Sequence, residues 1–81
     1  MEQFSNVCRG NSDCIEVSEG LSDLCFSTEL AKAAIKAETK KEKRKINSKH
    51  ILKYQNCLLE NSGKSYWKDI DMVDYIFSQV N

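Results

Sequence analysis

No proline interrupts the 81 residues of this chain, and glycine occurs only at positions 10, 20 and 63. A chain with so few helix breakers, few β-branched runs and no period-two alternation of apolar and polar residues has one economical solution. It folds as helices joined by short loops. The expected class is all-α, in a single domain spanning residues 1–81.

Size adds a second constraint. A domain of about this length buries only about 60–65% of the surface that its unfolded chain exposes, so its core alone is a marginal source of stability. A partner chain, a disulfide or a metal is expected to supplement it. The four cysteines are Cys8, Cys14, Cys25 and Cys57. They form no C-x-x-C pair and His50 is the single histidine, so no zinc motif is present. Cys14, Cys25 and Cys57 stand among apolar neighbours, which suits reduced thiols packed as small hydrophobes. A secreted scaffold with cystine bridges is the alternative.

No hydrophobic run reaches the roughly 20 residues of a membrane span. "MEQFSNVCRGNSD" at the start lacks the basic and apolar regions of a secretory signal. The expectation is a soluble, intracellular protein, nuclear if eukaryotic, without a membrane partner.

Charge is strongly segregated. Residues 32–53 hold nine of the twelve Lys and Arg with two acids, Glu38 and Glu42, so this segment carries +7. The chain is neutral, so the remainder carries −7. A zero net charge thus conceals a large dipole.

Apolar periodicity predicts three main helices after a short N-terminal helix and loop at residues 1–17. The first, central helix runs from about 18 to 43. Its stripes are Leu21, Leu24, Cys25, Thr28, Ala31 and Ile35, and Phe26, Leu30, Ala33, Ala34 and Ala37. Two starts compete: Asp13 with Glu16 as a capping box, or Ser18 as N-cap before Gly20. A short helix is predicted at about 48–60 behind an Asn47 or Ser48 cap. "ENSGKS" at 60–65 reads as a loop. A C-terminal helix follows at about 65–79, with Tyr66, Ile70, Val73, Ile76, Phe77 and Val80 on one stripe.

On this reading the run "ETKKEKRK" closes the central helix, where cations complement the macrodipole by about 0.3–1 kcal/mol each. That is a structural reason for the cluster. The functional reason is contact with a polyanion, either nucleic-acid phosphates or an acidic protein surface.

Catalytic chemistry finds little support. There is no glycine-rich phosphate loop, no G-x-S-x-G elbow and no H-E-x-x-H motif. His50, the only conventional base for a cysteine nucleophile, lies in a basic neighbourhood that disfavours its protonation. Asp69, Asp71 and Asp74 read as the wet face of a helix. No catalytic residue, cofactor, metal site or small-molecule substrate is expected.

The stretch "CFSTELAKAAIKAETKKEKRKINSKHILKYQ" resembles the end of the central helix, the second loop and the third helix of histone-fold proteins. The likeness is to the group with the NF-Y gamma subunit and the small subunits of DNA polymerase epsilon and the chromatin accessibility complex. Phe26, Leu30, Ala31 and Ala34 carry it, then Lys43-Arg44-Lys45-Ile46 as the basic loop and Ser48, Ile51 and Leu52 at the next helix. "VCRGNSDCIEVSEG" and "SYWKDIDMV" are similar to the flanking stretches.

The resemblance implies a histone-fold-like architecture, a long central helix flanked by short ones plus a C-terminal helix. It implies dimerisation with another histone-fold or helical chain through Leu21, Leu24, Phe26, Leu30, Ala34, Ile35, Ile46, Ile51 and Leu52. It also implies largely sequence-independent binding of duplex DNA through Lys40, Lys41, Lys43, Arg44, Lys45 and Lys49, in a chromatin, replication or transcription complex. The competing expectation is a small helical interaction module or inhibitor. It would dock on a larger protein through the same amphipathic faces.

Overall fold

A computed structural model describes the backbone of residues 2–79 and the side chains of residues 3–78. Among the described residues six helices follow one another: α1 (Glu2–Asn6), α2 (Ser12–Gly20), α3 (Ser22–Cys25), α4 (Thr28–Lys36), α5 (Lys40–Ser62) and α6 (Met72–Gln79). No strand occurs among the described residues. The all-α expectation holds, but the helix boundaries do not. Val80 of the predicted stripe lies outside the described residues.

The predicted central helix at 18–43 is divided between parts of four helices. Local hydrogen bonding explains each division. Asn11 caps α2, its side chain accepting from the Cys14 amide at 3.2 Å. Phe26 turns extended at ψ 128°, and Ser27 then caps α4 by accepting from the Leu30 amide at 3.3 Å. Ala37 turns extended at ψ 133°, and Thr39 caps α5 by accepting from the Glu42 amide at 3.1 Å. Thr39-Lys-Lys-Glu42 is a T-x-x-E helix start. Apolar periodicity, which runs smoothly past it, hides that signal. Of the two candidate starts, neither Asp13 nor Ser18 is the cap. Ser18 is buried inside α2, accepting from the Ser5 hydroxyl at 3.2 Å.

The long helix is α5, and it runs through the predicted turn at 46–48. Ser48 does not cap it. The Ser48 hydroxyl donates to the Arg44 carbonyl at 2.8 Å, the back-bond that lets serine sit within a helix. The predicted short helix at 48–60 is the second half of α5. Gly63 ends it at φ 67°, a left-handed C-cap that glycine adopts without penalty.

The predicted C-terminal helix begins late, at Met72. Residues 66–69 form turns instead, because Gln55 reaches from α5 and claims their carbonyls. Its Nε2 donates to the Trp67 carbonyl and, at 2.9 Å, to the Ile70 carbonyl. Asp71 then accepts from the Asp74 amide at 3.0 Å and opens α6.

The core gathers Phe4, Cys8, Cys14, Cys25, Ile51, Tyr54, Leu58, Trp67, Met72 and Ile76. Phe4 and Tyr54 stack at 4.6 Å, and the Trp67 indole N–H donates to the Phe4 carbonyl at 3.0 Å. Trp67 is therefore a buried aromatic with its polar atom satisfied. Cys8, Cys14 and Cys25 lie in this core and Cys57 packs against it, but not as thiols. Cys8 pairs with Cys14 and Cys25 with Cys57, and among the described residues no free cysteine remains. A small core supplemented by disulfides is the expected remedy for a chain of this size.

Every core residue comes from α1–α3, the second half of α5, the 63–71 loop and α6, or lies between α1 and α2. From Phe26 to Lys49 no residue is buried. This stretch is α4 folded back on the first half of α5, a helical hairpin that extends from the core.

Candidate functional site

The residues that sequence analysis selected for polyanion contact all fall on α5. Lys40, Lys41, Lys43, Arg44, Lys45 and Lys49 are each exposed in its first half. The structure adds Lys53, also exposed. Lys41, Lys45, Lys49 and Lys53 recur every four residues and form one ladder about 18 Å long at 1.5 Å rise per residue. A division of this segment into two helices and a loop concealed the ladder.

The electrostatics reverse the expectation. The basic run stands at the N-terminal end of α5, not at the end of a preceding helix. The macrodipole there is positive, so each nearby cation costs about 0.3–1 kcal/mol. Like charges four residues apart add about 0.2–0.5 kcal/mol per pair. Among the described residues, none of these cations lies within 4.0 Å of a carboxylate. The one ion pair among the described residues joins Lys64 and Asp13 at 3.8 Å, and neither belongs to the basic run. The dipole explanation of the cluster therefore fails. The basic face strains the helix that carries it.

One cation is partly accommodated. The Arg44 guanidinium lies over the Phe77 ring of α6 at 4.8 Å from the centroid. This cation–π contact contributes about 0.5–1 kcal/mol at an exposed site. Beside it, a shallow cleft of about 420 Å³ runs between α5 and α6. It is lined by Lys41, Arg44, Lys45 and Ser48 of α5 and by Asp71, Val73, Asp74 and Phe77. A second cleft, about 330 Å³, holds a single cation, Arg9, among Asn6, Val7, Tyr66, Ile70 and Tyr75.

His50 has a structural place. It is buried, its Nε2 accepts from the Ser27 amide at 3.1 Å, and its ring meets Phe26 edge-on at 4.9 Å. Burial first, and the Lys53 charge second, hold its pKa below the ordinary histidine value. The sequence expectation named only the charge. All four cysteine sulfurs that a histidine base could activate are tied in disulfides.

The residues expected at a dimer interface separate into three groups. Ile51 belongs to the core and Leu21 packs against it. Leu30, Ala34 and Ile46 are half-buried in the α4–α5 hairpin. Leu24, Phe26, Ile35 and Leu52 are exposed, by 65, 46, 78 and 51%. These four do not form one stripe, because they are spread over α3, its C-cap, α4 and α5.

Among the described residues no group of three His, Cys, Asp or Glu could hold a metal, and no helix is long and apolar enough to cross a membrane.

No family model matches the chain. No significant match was found among curated proteins or solved structures.

Proposed function

We propose that this chain is a non-catalytic binding module that meets a linear polyanion through the exposed basic face of α5. One observation carries the reading. The basic run opens α5 with Lys40, Lys41 and Lys43 in the turn where cations oppose the macrodipole, and among the described residues none of its cations pairs with a carboxylate. An anion laid along the run would relieve that opposition and the repulsion between neighbouring lysines. Flexible lysines contact closely spaced phosphates or sulfates as point charges, without reading a base sequence. Duplex DNA is the reference probe, consistent with the partner that the histone-fold resemblance implies.

Two disulfides favour an oxidising compartment over the nuclear interior that the same resemblance suggests. We therefore place the emphasis on the polyanion rather than on chromatin. The test is fluorescence anisotropy of a labelled duplex over a salt series. With about four phosphate contacts, the log–log slope is expected near −3.6. A slope near zero, or binding that survives neutralisation of the ladder, refutes the reading.

A second reading has its own observation. The hairpin buries no residue from Phe26 to Lys49 and leaves Phe26 and Ile35 exposed. A helical partner chain would cover it, as a dimerising or docking module requires. Loss of hydrogen-exchange protection in α4 of the isolated protein, restored by a partner, would support that reading; full protection in the isolated protein opposes it.

A further inference from the structure

The −7 that balances the basic segment is not spread evenly. Cys14 and Ser18 of α2 and Cys25 of α3 turn into the core. Helical spacing then sends Glu16 and Glu19 to the opposite side, and Asp23 on α3 lies within electrostatic reach of Tyr54 on α5; all three acids are exposed. None has a carboxylate–cation contact among the described residues. Asp13, the other acid of α2, is already engaged by Lys64 and by the Tyr66 hydroxyl.

The same geometry holds on α5. His50, Ile51, Tyr54 and Leu58 face the body, so Lys49 and Lys53 face away from it, and Lys45 stands exposed at the cleft toward α6. The basic row covers about 12 Å along α5, and the acids continue from α2 across Leu21 into α3. An exposed leucine borders each row, Leu24 beside Asp23 and Leu52 beside Lys53. Among the described residues no ion pair joins the two rows within one molecule.

We propose that the acidic α2–α3 face of one copy docks on the basic α5 face of another, giving head-to-tail self-association. Charge complementarity selects this partner. The rows are opposite in sign and each edged by a leucine. The neutral chain also sets up no net repulsion between copies. The two faces differ, so the contact is heterologous and propagates as an open chain rather than closing as a two-fold dimer. The proposal shares the basic face with the polyanion reading but does not depend on it.

Sedimentation velocity of the oxidised full chain tests this. At low salt the weight-average mass should exceed 9.3 kDa and climb with concentration. It should return to the monomer at ~1 M salt, where the Debye length is about 3 Å. Glu16→Gln/Glu19→Gln/Asp23→Asn should be monomeric. Glu29→Gln/Glu38→Gln/Glu60→Gln has the same net charge change at other exposed acids, and should associate like the parent. Lys45→Gln/Lys49→Gln/Lys53→Gln should also be monomeric. Mixed with the first variant, it should form a 1:1 dimer that grows no further, since each retains one competent face. A parent that stays monomeric at low salt, equal loss in both acid variants, or no dimer on mixing would overturn the proposal. Duplex anisotropy of the first variant keeps the two readings apart, because its α5 is untouched.

Discussion

The backbone N–H of Ser27 donates to Nε2 of His50 at 3.1 Å, joining the start of α4 to the middle of α5 across 23 positions. This bond requires a neutral imidazole with Nε2 unprotonated. It is the polar fastening at the base of a hairpin that has no buried residue of its own beyond that point.

A pH dependence follows. The folded protein holds the His50 pKa below the ordinary histidine value, through burial and then Lys53. The unfolded chain therefore binds the proton more readily. The stabilisation is fully present above about pH 6.5 and is lost as pH falls toward the depressed folded value. Chemical denaturation from pH 7.5 down to 5 should show falling stability, and His50→Gln should flatten the trend. His50→Ala, which orphans the Ser27 amide, should cost about 1–3 kcal/mol.

The two disulfides should contribute unequally. Cys25–Cys57 closes a separation of 32 residues and Cys8–Cys14 one of 6. Chain entropy then assigns about 4 and about 2 kcal/mol to them. Denaturant midpoints should fall more for Cys25→Ser/Cys57→Ser than for Cys8→Ser/Cys14→Ser. Titration of the denatured, unreduced protein should find no thiol.

Trp67 joins the loop after α5 to α1. Trp67→Ala should cost about 3–5 kcal/mol, the usual range for removing a fully buried aromatic. Trp67→Phe should cost less, losing the bond to the Phe4 carbonyl but keeping most of the packing. Calorimetric unfolding of the pair separates the two contributions.

The basic helix should show an inverse relation between stability and binding. Lys40→Glu/Lys41→Glu places acids in the first turn of α5, where the dipole favours them by about 0.3–1 kcal/mol each. Thermal unfolding should shift upward while duplex affinity falls. Lys45→Gln/Lys49→Gln/Lys53→Gln should flatten the salt slope by up to about 2.7, close to 0.9 per lost phosphate contact.

Particular residues show where the sequence was readable. Leu58 and Ile76 took inward positions because apolar spacing forces them there, whatever the helix boundaries. The basic cations were found because charge needs no fold to be counted. Thr39 and Ser27 were missed as helix starts. Their caps interrupt a stretch whose alanines keep an apolar period across the breaks. Lys53 was missed as a member of the ladder for the same reason.

The sequence by itself determined an all-helical chain, a small core needing reinforcement, and a neutral molecule divided into +7 and −7 parts. These follow from composition and local spacing, which involve only neighbours in the chain. The tertiary structure decided how the cysteines pair, where His50 spends its lone pair and which end of a helix carries the lysines. Each depends on contacts between distant residues: Cys25 with Cys57, Ser27 with His50, Gln55 with Trp67. The last of these decisions matters most for function. The same lysines stabilise a helix at one end and strain it at the other, and only the fold sets which end they occupy.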